Sequence, residues 1–283
     1  MPKPSALLAR LRETAPLVQC ITNYVAMNVA ANVLLAAGAS PAMVHAEEEA
    51  GEFAGLAGAL TINIGTLSPA WIGGMKAAAT GAAAAGRPWV LDPVAHFATA
   101  LRRHSVAELL DLRPAIVRGN ASEIIALAGG QGSGRGVDSG DPVELAEEAA
   151  RRLAAARGAV VAVTGPVDFV TDGRRALRIH GGSPLMPRVT ALGCSLTDVL
   201  STTRASSRLR RARFESWSVD QASIALSVAE ATGSPSGSDP VYTRPRSASR
   251  CTHTETQPRP GTSGGASVCA RTRSMWKCGR IAR

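Results

Sequence analysis

Residues 60–92 read LTINIGTLSPAWIGGMKAAATGAAAAGRPWVLD, and they follow the order strand, helix, strand. The apolar run 60–64 ends at a glycine, Ser68 is a helix cap followed by proline, and the run 89–91 leads into Asp92. Strands that alternate with helices form parallel sheets covered on both faces. This stretch therefore predicts an α/β fold with a mostly parallel sheet.

The same alternation continues on both sides of this unit, from residue 15 to residue 180. Strands are predicted at 17–21, 42–44, 60–64, 89–91, 115–117, 159–163 and, as a hairpin, at 169–171 and 176–179. Helices are predicted at 25–37, 47–57, 68–86, 106–112, 121–128 and 143–156. In parallel sheets ligands bind beyond the carboxyl ends of the strands, where Asn23, Asp92, Arg118 and Thr164 fall.

Composition and charge divide the chain in two. Of its 283 residues, 45% are hydrophobic and 4% aromatic, which suits a large core of small aliphatic side chains. Residues 1–200 carry 17 basic and 17 acidic residues, so the net charge of +9 belongs to residues 201–283. Their Ser, Thr, Pro, Gly and Arg content is typical of disordered sequence. We expect a globular domain over 1–200 and a basic low-complexity tail over 201–283.

The sequence shows neither a membrane span nor a secretory signal, and its five cysteines lack a metal-site or disulfide spacing. The expected location is the cytoplasm, with reduced thiols. The basic tail suggests a competing hypothesis, nucleic-acid binding, although its arginines follow no recognition motif. Under that hypothesis, deletion of 201–283 would abolish a salt-sensitive shift of DNA.

Residues 190–195, TALGCS, form a small-residue loop ahead of the apolar sequence LTDVL. A helix that begins at Ser195 would direct unpaired N–H groups and the positive end of its dipole at this loop, which could then hold an anion. Gly193 would let the backbone approach a ligand, and Cys194 is expected to have a lowered pKa. The alternative is a small buried cysteine that only packs.

Several polar groups at the predicted strand ends suit phosphoryl transfer together with this loop. Asp92 and Glu123 are carboxylates that can serve Mg²⁺ directly or through water, Arg118 offers a planar cationic fork to phosphate oxygens, and Thr164 can meet a nucleotide. Each also has a plainer interpretation. Asp92 before a proline is a common turn former, and Glu123 in the first turn of a helix is a common partner of the helix dipole.

Together and in this order, these residues resemble the hydroxyethylthiazole kinase family, which has the ribokinase-like fold. The resemblance covers residues 7–200 and implies a three-layer α/β/α domain. Its matching stretches are CITNYV at 20–25, GASPAM at 38–43, NIGTL at 63–67, LDPV at 91–94, VRGNASEI at 117–124, GVDS at 136–139, VAVTG at 161–165 and VTALGCSL at 189–196.

The resemblance implies transfer of the ATP γ-phosphate to the hydroxyl of 4-methyl-5-(2-hydroxyethyl)thiazole, a step of thiamine biosynthesis and salvage. By this likeness, Asn23, Met43 and the backbone at Ala191 contact the thiazole, while Arg118 and Thr164 contact ATP. The resemblance also implies a homotrimer with active sites at subunit interfaces.

For the reaction itself, the resemblance implies Mg²⁺ served by Asp92 and Glu123, and a phosphoryl group held by the loop with Gly193 on the ATP side. Cys194 stands where many ribokinase-like relatives carry an aspartate base. It is therefore the expected catalytic residue, although a thiol is a modest base. A cysteine acyl hydrolase with His45, His96 or His180 as base is a further possibility, without a nucleophile-elbow motif.

The chain departs from the family in three places. Position 191, often glycine there, is alanine, which is tolerated if its φ stays negative. His96 and Phe97 add bulk after the LDPV stretch, and His96 is expected to be structural or exposed rather than a ligand. After about Leu200 the family's helices are not recognisable, and the tail looks like GC-rich coding sequence out of frame. A frameshift near codon 200 would make the chain a catalytically impaired or inactive pseudoenzyme.

Overall fold

The computed structural model describes residues 4–133, 140–181, 183 and 185–205. Its strands are β1 Leu17–Ile21, β2 Ser40–Ala42, β3 Ala59–Asn63, β4 Trp89–Asp92, β5 Ile116–Asn120, β6 Val160–Thr164, β7 Val167–Thr171 and β8 Ala176–His180. They form one sheet in the order β2-β1-β3-β4-β5-β6-β7-β8. The first six strands of this order are parallel, and β7 and β8 complete the sheet as the predicted antiparallel hairpin.

Helices connect the parallel strands as the sequence predicts, and a further helix that was not predicted precedes β1. They are α1 Pro4–Thr14, α2 Met27–Ala37, α3 Glu47–Leu56, α4 Pro69–Ala84, α5 Ala100–Asp111, α6 Ala121–Leu127, α7 Val143–Arg157 and α8 Leu192–Ala205, with short 3₁₀ turns at His96–Ala98 and Met186–Arg188. The predicted cap is present, because the Ser68 side chain accepts a hydrogen bond of 3.2 Å from the Trp71 amide.

The helices cover both faces of the sheet, so the domain has three layers. On one face, side chains of α3 to α7 bury the strands in a cluster that includes Ile62 and Leu109. On the other face, α1, α2 and α8 cover the sheet, and Leu34 and Val199 pack against Val18. Alanine supplies much of both cores, which explains how a chain with few aromatic residues fills its interior.

Several element boundaries differ from the prediction; strand β5, for example, runs on to Asn120, so Arg118 lies within it rather than beyond its end. Helix α5 begins at Ala100 rather than 106, because the Thr99 side chain accepts a hydrogen bond of 3.3 Å from the Arg102 amide and caps a polar first turn that carries no apolar period. Strand β2 lies at Ser40–Ala42 rather than 42–44, since these residues pair with Leu17–Gln19 at the sheet edge.

Two predictions fall on residues outside those that the structure describes. The block 136–139 is one, and the tail from residue 206 onward is the other, so the division of the chain at residue 200 stays a prediction. Helix α8 itself continues to Ala205. Among the described residues, no helix is long and apolar enough to cross a membrane.

Candidate active site

Asp92 is the centre of the polar cluster at the carboxyl end of the sheet. It ends β4 and is 1% exposed. Its Oδ2 accepts hydrogen bonds from Asn63 Nδ2 at 2.8 Å and from Thr197 Oγ1 at 2.9 Å, and Arg118 Nη1 lies 3.5 Å away. Burial raises the pKa of Asp92, while Arg118 and these donors oppose the rise. The carboxylate thus joins β3, β4, β5 and α8 at one point.

Asn23 and Cys194 lie next to this point, at the end of β1 and the start of α8. The amide Nδ2 of Asn23 donates to Asn63 Oδ1 at 3.0 Å and to Cys194 Sγ at 3.3 Å. Asn23 Oδ1 accepts from the Ala26 amide at 3.0 Å, which fixes the orientation of the side chain. The structure therefore brings Asn23, predicted to bind substrate, together with Cys194, predicted to be catalytic.

Arg118, Thr164 and Gly193 form the neighbouring part of the cluster. Arg118 Nη2 donates to Thr164 Oγ1 at 2.7 Å, across the pair β5 and β6. A Cβ atom on Gly193 would lie only 2.8 Å from Arg118 Nη2, so glycine is what lets the first turn of α8 approach the guanidinium. All three residues predicted to contact ATP are thus adjacent to one another.

Glu123 lies nearby but is already engaged by backbone amides. Its Oε1 accepts from the Ala95 amide and its Oε2 from the Asn120 amide, both at 2.8 Å, while Asn120 Oδ1 accepts from the Glu123 amide at 2.9 Å. This is a capping box at the start of α6, so the plainer interpretation of Glu123 as a helix-terminus partner holds. Burial, and then the charge of Asp92, raise the pKa of Glu123 to about 7.

Two expectations for the 190–195 loop are wrong. Helix α8 begins at Leu192 rather than Ser195, so Cys194 lies within its first turn. The pKa of Cys194 is raised to about 11 rather than lowered, because burial and the nearby Asp92 carboxylate outweigh the hydrogen bond from Asn23. The sequence could not show that a carboxylate from β4 faces this helix start.

Ala191 and Met43 are the other residues predicted to bind substrate. Ala191 directly precedes α8, and Met43 directly follows β2. Ala191 has a φ of 65°, so the condition that its φ stays negative is not met, and the methyl group occupies a left-handed conformation. Its carbonyl accepts hydrogen bonds of 2.9 Å from both the amide and the hydroxyl of Ser195. Met43 follows β2 and packs, half-buried, against the cluster around Leu34 and Val199.

His96 was expected to be structural or exposed, and it is buried in the structure. It is buried in the 3₁₀ turn, with its ring edge-on to Phe97 at 5.6 Å between ring centroids. Burial lowers the pKa of His96 to about 4, which keeps the imidazole neutral at physiological pH.

Asn63 and Thr197 are site residues to which the sequence interpretation gave no role. Both are fully buried and both donate to Asp92. Asn63 had one visible signal, a polar residue at the last position of an otherwise apolar strand. Thr197 had none, because threonine is common in helices with one buried face.

One carboxylate oxygen of this cluster has the chemistry that suits Mg²⁺. Asp92 Oδ1 is buried without a hydrogen-bond partner within the described part of the chain, as is Arg118 Nε. Buried polar atoms normally have partners, so an unpartnered carboxylate oxygen is suited to a cation. The described residues hold no group of three or more His, Cys, Asp and Glu that could bind a metal. Mg²⁺ that is bound through one or two carboxylates and substrate phosphates does not require such a group.

Comparison of the chain with known proteins identifies its family. The model of the hydroxyethylthiazole kinase family matches residues 8–241. A hydroxyethylthiazole kinase of Rhizobium johnstonii is 75% identical over 194 residues, which are 69% of this chain and 73% of that protein. One from Cereibacter sphaeroides is 64% identical over 230 residues, covering 81% of this chain and 86% of that protein.

A solved structure agrees with the sequence comparisons. The structure of the hydroxyethylthiazole kinase of Pyrococcus horikoshii is similar with a TM-score of 0.67 and 38% identity, over 78% of this chain and 80% of that chain. The predicted ribokinase-like fold and the predicted family are both confirmed. On sequence and on structure alike, the chain belongs to the hydroxyethylthiazole kinase family.

Proposed function

We propose that this chain transfers the γ-phosphate of ATP to the hydroxyl of 4-methyl-5-(2-hydroxyethyl)thiazole. The observation that carries the proposal is the junction at Asp92, where Asn63 links to the predicted substrate side and Arg118 to the predicted ATP side. Phosphoryl transfer is accelerated mainly by positioning and by neutralising charge, and both requirements are met where these groups converge.

In this proposal Arg118 and Thr164 orient the phosphates of ATP. The guanidinium is fixed by Thr164 on one nitrogen and by the Asp92 carboxylate near the other, so its remaining N–H groups are pre-organised for phosphate oxygens. Helix α8 begins at Leu192, and the positive end of its dipole lies at the Gly193 turn. The transferring phosphoryl group would meet positive potential from two directions.

We propose that Asp92 holds Mg²⁺ and that Glu123, with both oxygens bonded to amides, serves it through water. When bound, the ion would neutralise charge on the phosphates. Removal of divalent ions with EDTA is expected to abolish turnover, and added Mg²⁺ to restore it. Turnover that persists in EDTA would contradict this assignment.

We propose that Asn23, Met43 and Ala191 contact the thiazole and that Cys194 lies at the reacting hydroxyl. With a pKa of about 11 the group is a thiol at neutral pH, so it acts through contact more than as a base. The variant Cys194→Ala is then expected to lower kcat about tenfold, whereas an essential base would cost 10²-fold or more.

The test of the function is direct. The purified full chain is incubated with ATP, Mg²⁺ and the thiazole alcohol, and the phosphate ester is detected by mass spectrometry. An alcohol without the thiazole ring, such as 2-phenylethanol, is the matched control acceptor. Phosphorylation of the thiazole alcohol alone supports the proposal, and its absence overturns the activity for this chain.

The domain division leads to a second candidate function. In this alternative, residues 1–200 carry the kinase domain and the altered tail impairs it. The family match to residue 241 and the 230-residue alignment favour an active kinase, while the shorter 194-residue alignment favours the impaired one. A chimera in which residues from 201 onward are replaced by the corresponding segment of the Rhizobium johnstonii relative separates the two. Activity in the chimera alone would identify a pseudoenzyme, and the nucleotide sequence across codons 195–215 would reveal a frameshift.

We also propose a cytoplasmic homotrimer, as the family resemblance implies. Tyr24 and Val25, which follow the predicted substrate residue Asn23, are 67% and 65% exposed. Large exposed apolar side chains beside a site favour an interface there. Light scattering of the purified protein is expected to give three times the chain mass, and a monomer mass would contradict the assembly.

A further inference from the structure

We propose that Asn63 is a positioning residue, which holds the acceptor-side groups Asn23 and Cys194 in register with the carboxylate of Asp92. The expected effect on catalysis rests on the proposed kinase function, whereas the hydrogen bonds of Asn63 do not depend on it. Asn63 is the last residue of β3 and is 1% exposed. It lies between β1 and β4 in the sheet, and therefore between the two halves of the site.

Each end of the Asn63 amide bonds to a different half of the site. Its Oδ1 accepts from Asn23 Nδ2 at 3.0 Å and from the Gly65 amide at 2.9 Å, and its Nδ2 donates to Asp92 Oδ2 at 2.8 Å. Only a side chain with an acceptor and a donor on one rigid plane can make these contacts together. The contacts also fix which end is oxygen and which is nitrogen.

The chain continues from Asn63 to the reacting groups. Asn23 Nδ2 also donates a hydrogen bond to Cys194 Sγ at 3.3 Å, and Asp92 Oδ2 also accepts one from Thr197 Oγ1 at 2.9 Å. Cys194 and Thr197 lie one turn apart on α8, so the path Cys194, Asn23, Asn63, Asp92, Thr197 closes on the same helix. These four hydrogen bonds and the turn of α8 that joins Cys194 to Thr197 form a closed ring, whose members have little freedom to move independently.

The backbone around Asn63 is shaped to leave room for this ring. A Cβ atom on Gly65 would lie 2.8 Å from Asn23 Nδ2 and 2.9 Å from Asn63 Oδ1. Any larger residue at position 65 would push the two amides apart. Gly65 therefore serves the close approach of Asn23 and Asn63.

Kinetics of two Asn63 variants test the proposal. Asn63→Asp keeps the size and the acceptor toward Asn23 but sets a second carboxyl against Asp92, where the native amide lies 2.8 Å from Oδ2. The two buried carboxyls would share a proton and Asp92 would lose its free charge, so we expect kcat to fall about 30-fold with KM for the thiazole alcohol within about threefold. Asn63→Ala loses both contacts, so KM for the alcohol should also rise about tenfold while KM for ATP stays within about threefold.

Thr61→Ala is the matched control. Thr61 lies two residues earlier in β3, on the same face, and its buried Oγ1 donates to Asp198 on the same helix α8 at 2.6 Å. Its loss should lower stability as an Asn63 variant does, yet leave kcat and both KM values within about threefold. Equal kinetic effects of Thr61→Ala and Asn63→Ala would overturn the proposal, because Asn63 would then act only through stability.

A second measurement does not require kinase activity. The rate at which iodoacetamide alkylates Cys194, followed by mass spectrometry of its peptide, depends on the hydrogen bonds around the thiol. Asn63→Leu keeps the volume but removes the acceptor that orients Asn23, so the donor that stabilises the Cys194 thiolate is lost and alkylation should slow about tenfold relative to the native chain and to Thr61→Ala. An unchanged rate overturns the link to Cys194. An inactive native chain whose Asn63→Leu variant still alkylates slowly would overturn the proposed function and leave the ring intact.

Discussion

Two buried carboxylates, Asp92 and Asp198, lie where α8 contacts the sheet, and their surroundings differ. At Asp92 the sheet supplies the carboxylate, and Thr197 of α8 is one of its donors. At Asp198 the helix supplies the carboxylate, and Thr61 of β3 donates to Oδ1 at 2.6 Å. Asp92 has two hydrogen-bond donors and an arginine, whereas Asp198 has one donor and no arginine among the residues that the structure describes. Within the described residues, one oxygen of each carboxylate lacks a hydrogen-bond partner.

The difference shows that α8 contributes to the candidate site near its start, through Cys194 and Thr197, and buries Asp198 one turn after Cys194. Burial raises the pKa of both groups, but only Asp92 has a cation and several donors to oppose the rise. The pKa of Asp198 is raised to about 7, with the charge of Asp92 adding to the effect of burial. Asp92 therefore has groups around it that favour its charged form, whereas the Asp198 carboxyl is partly protonated near neutral pH.

The largest effect is expected when Asp92 loses its charge. Asp92→Asn keeps the shape but removes the charge and sets an amide donor against Asn63 and Arg118, so we expect kcat to fall on the order of 10³-fold. Asp198→Asn, the same change at the other buried carboxylate, should leave kcat within about threefold. Steady-state kinetics of both variants decide the matter, and equal losses would mean that the two carboxylates have the same role.

The next effect concerns the cation that distinguishes Asp92 from Asp198. Arg118→Lys keeps the charge but loses the fork between Thr164 and Asp92, so kcat/KM for ATP should fall about 10²-fold. Arg157→Lys alters an exposed ion pair with Asp111 and serves as the control with unchanged kinetics. A loss confined to the thiazole KM would contradict the assignment of Arg118 to ATP.

The second carboxylate, Asp198, should make the free energy of unfolding depend on pH. Its carboxyl titrates at about 7 in the folded state, against 3.8 as the ordinary value, so the folded chain retains a proton that the unfolded chain releases. Its contribution to the free energy of unfolding therefore decreases as pH rises from about 4 to about 7.

Asp198→Asn removes this dependence. We expect the variant to be about 2 kcal/mol more stable than the native chain at pH 8, because the lost ionisation penalty exceeds the cost of one unpaired amide. At pH 4 the difference should vanish or change sign. Urea unfolding at both pH values measures it, and a gain of equal size at both would show that ionisation is not the cause.

The smallest effect tests the donor from α8. Thr197→Val removes the hydroxyl that bonds Asp92 and keeps the shape of the side chain, so we expect a loss of about 1 kcal/mol in stability and about fivefold in kcat. Thr202→Val alters a buried hydroxyl further along the same helix, which donates to the Val199 carbonyl at 2.7 Å, and should affect stability alone. A fall in kcat in both variants would point to the helix as a whole.

Much of the scaffold was predictable because it follows local rules. The strand, helix, strand order of residues 60–92 determined the parallel sheet, and the strand ends placed Asp92, Arg118 and Thr164 at one edge. The cap at Ser68 was recognisable because capping depends on a few neighbouring residues. The capping box of Asn120 and Glu123 has an equally local pattern, and the structure shows that it engages Glu123.

What the sequence did not show depends on contacts between distant elements. The pKa of Cys194 is set by burial and by Asp92, which lies on another element, so a local argument about a helix start predicted the wrong direction. Asn63 and Thr197 gain their meaning only from Asp92, which both of them contact. The left-handed φ of Ala191 likewise follows from the way the chain enters α8.

The hydrogen bond between Asn23 and Cys194 spans 171 positions of the chain, and this has a consequence for protein synthesis. As the ribosome releases the chain from its N-terminus, the parallel strands can assemble while the partner of the Asn23 amide is still missing. Asn23, Asn63 and Asp92 remain accessible to water until α8 emerges and covers them. The polar cluster is therefore completed by α8, the last helix of the described residues, and a nascent chain that has not reached α8 lacks the complete site.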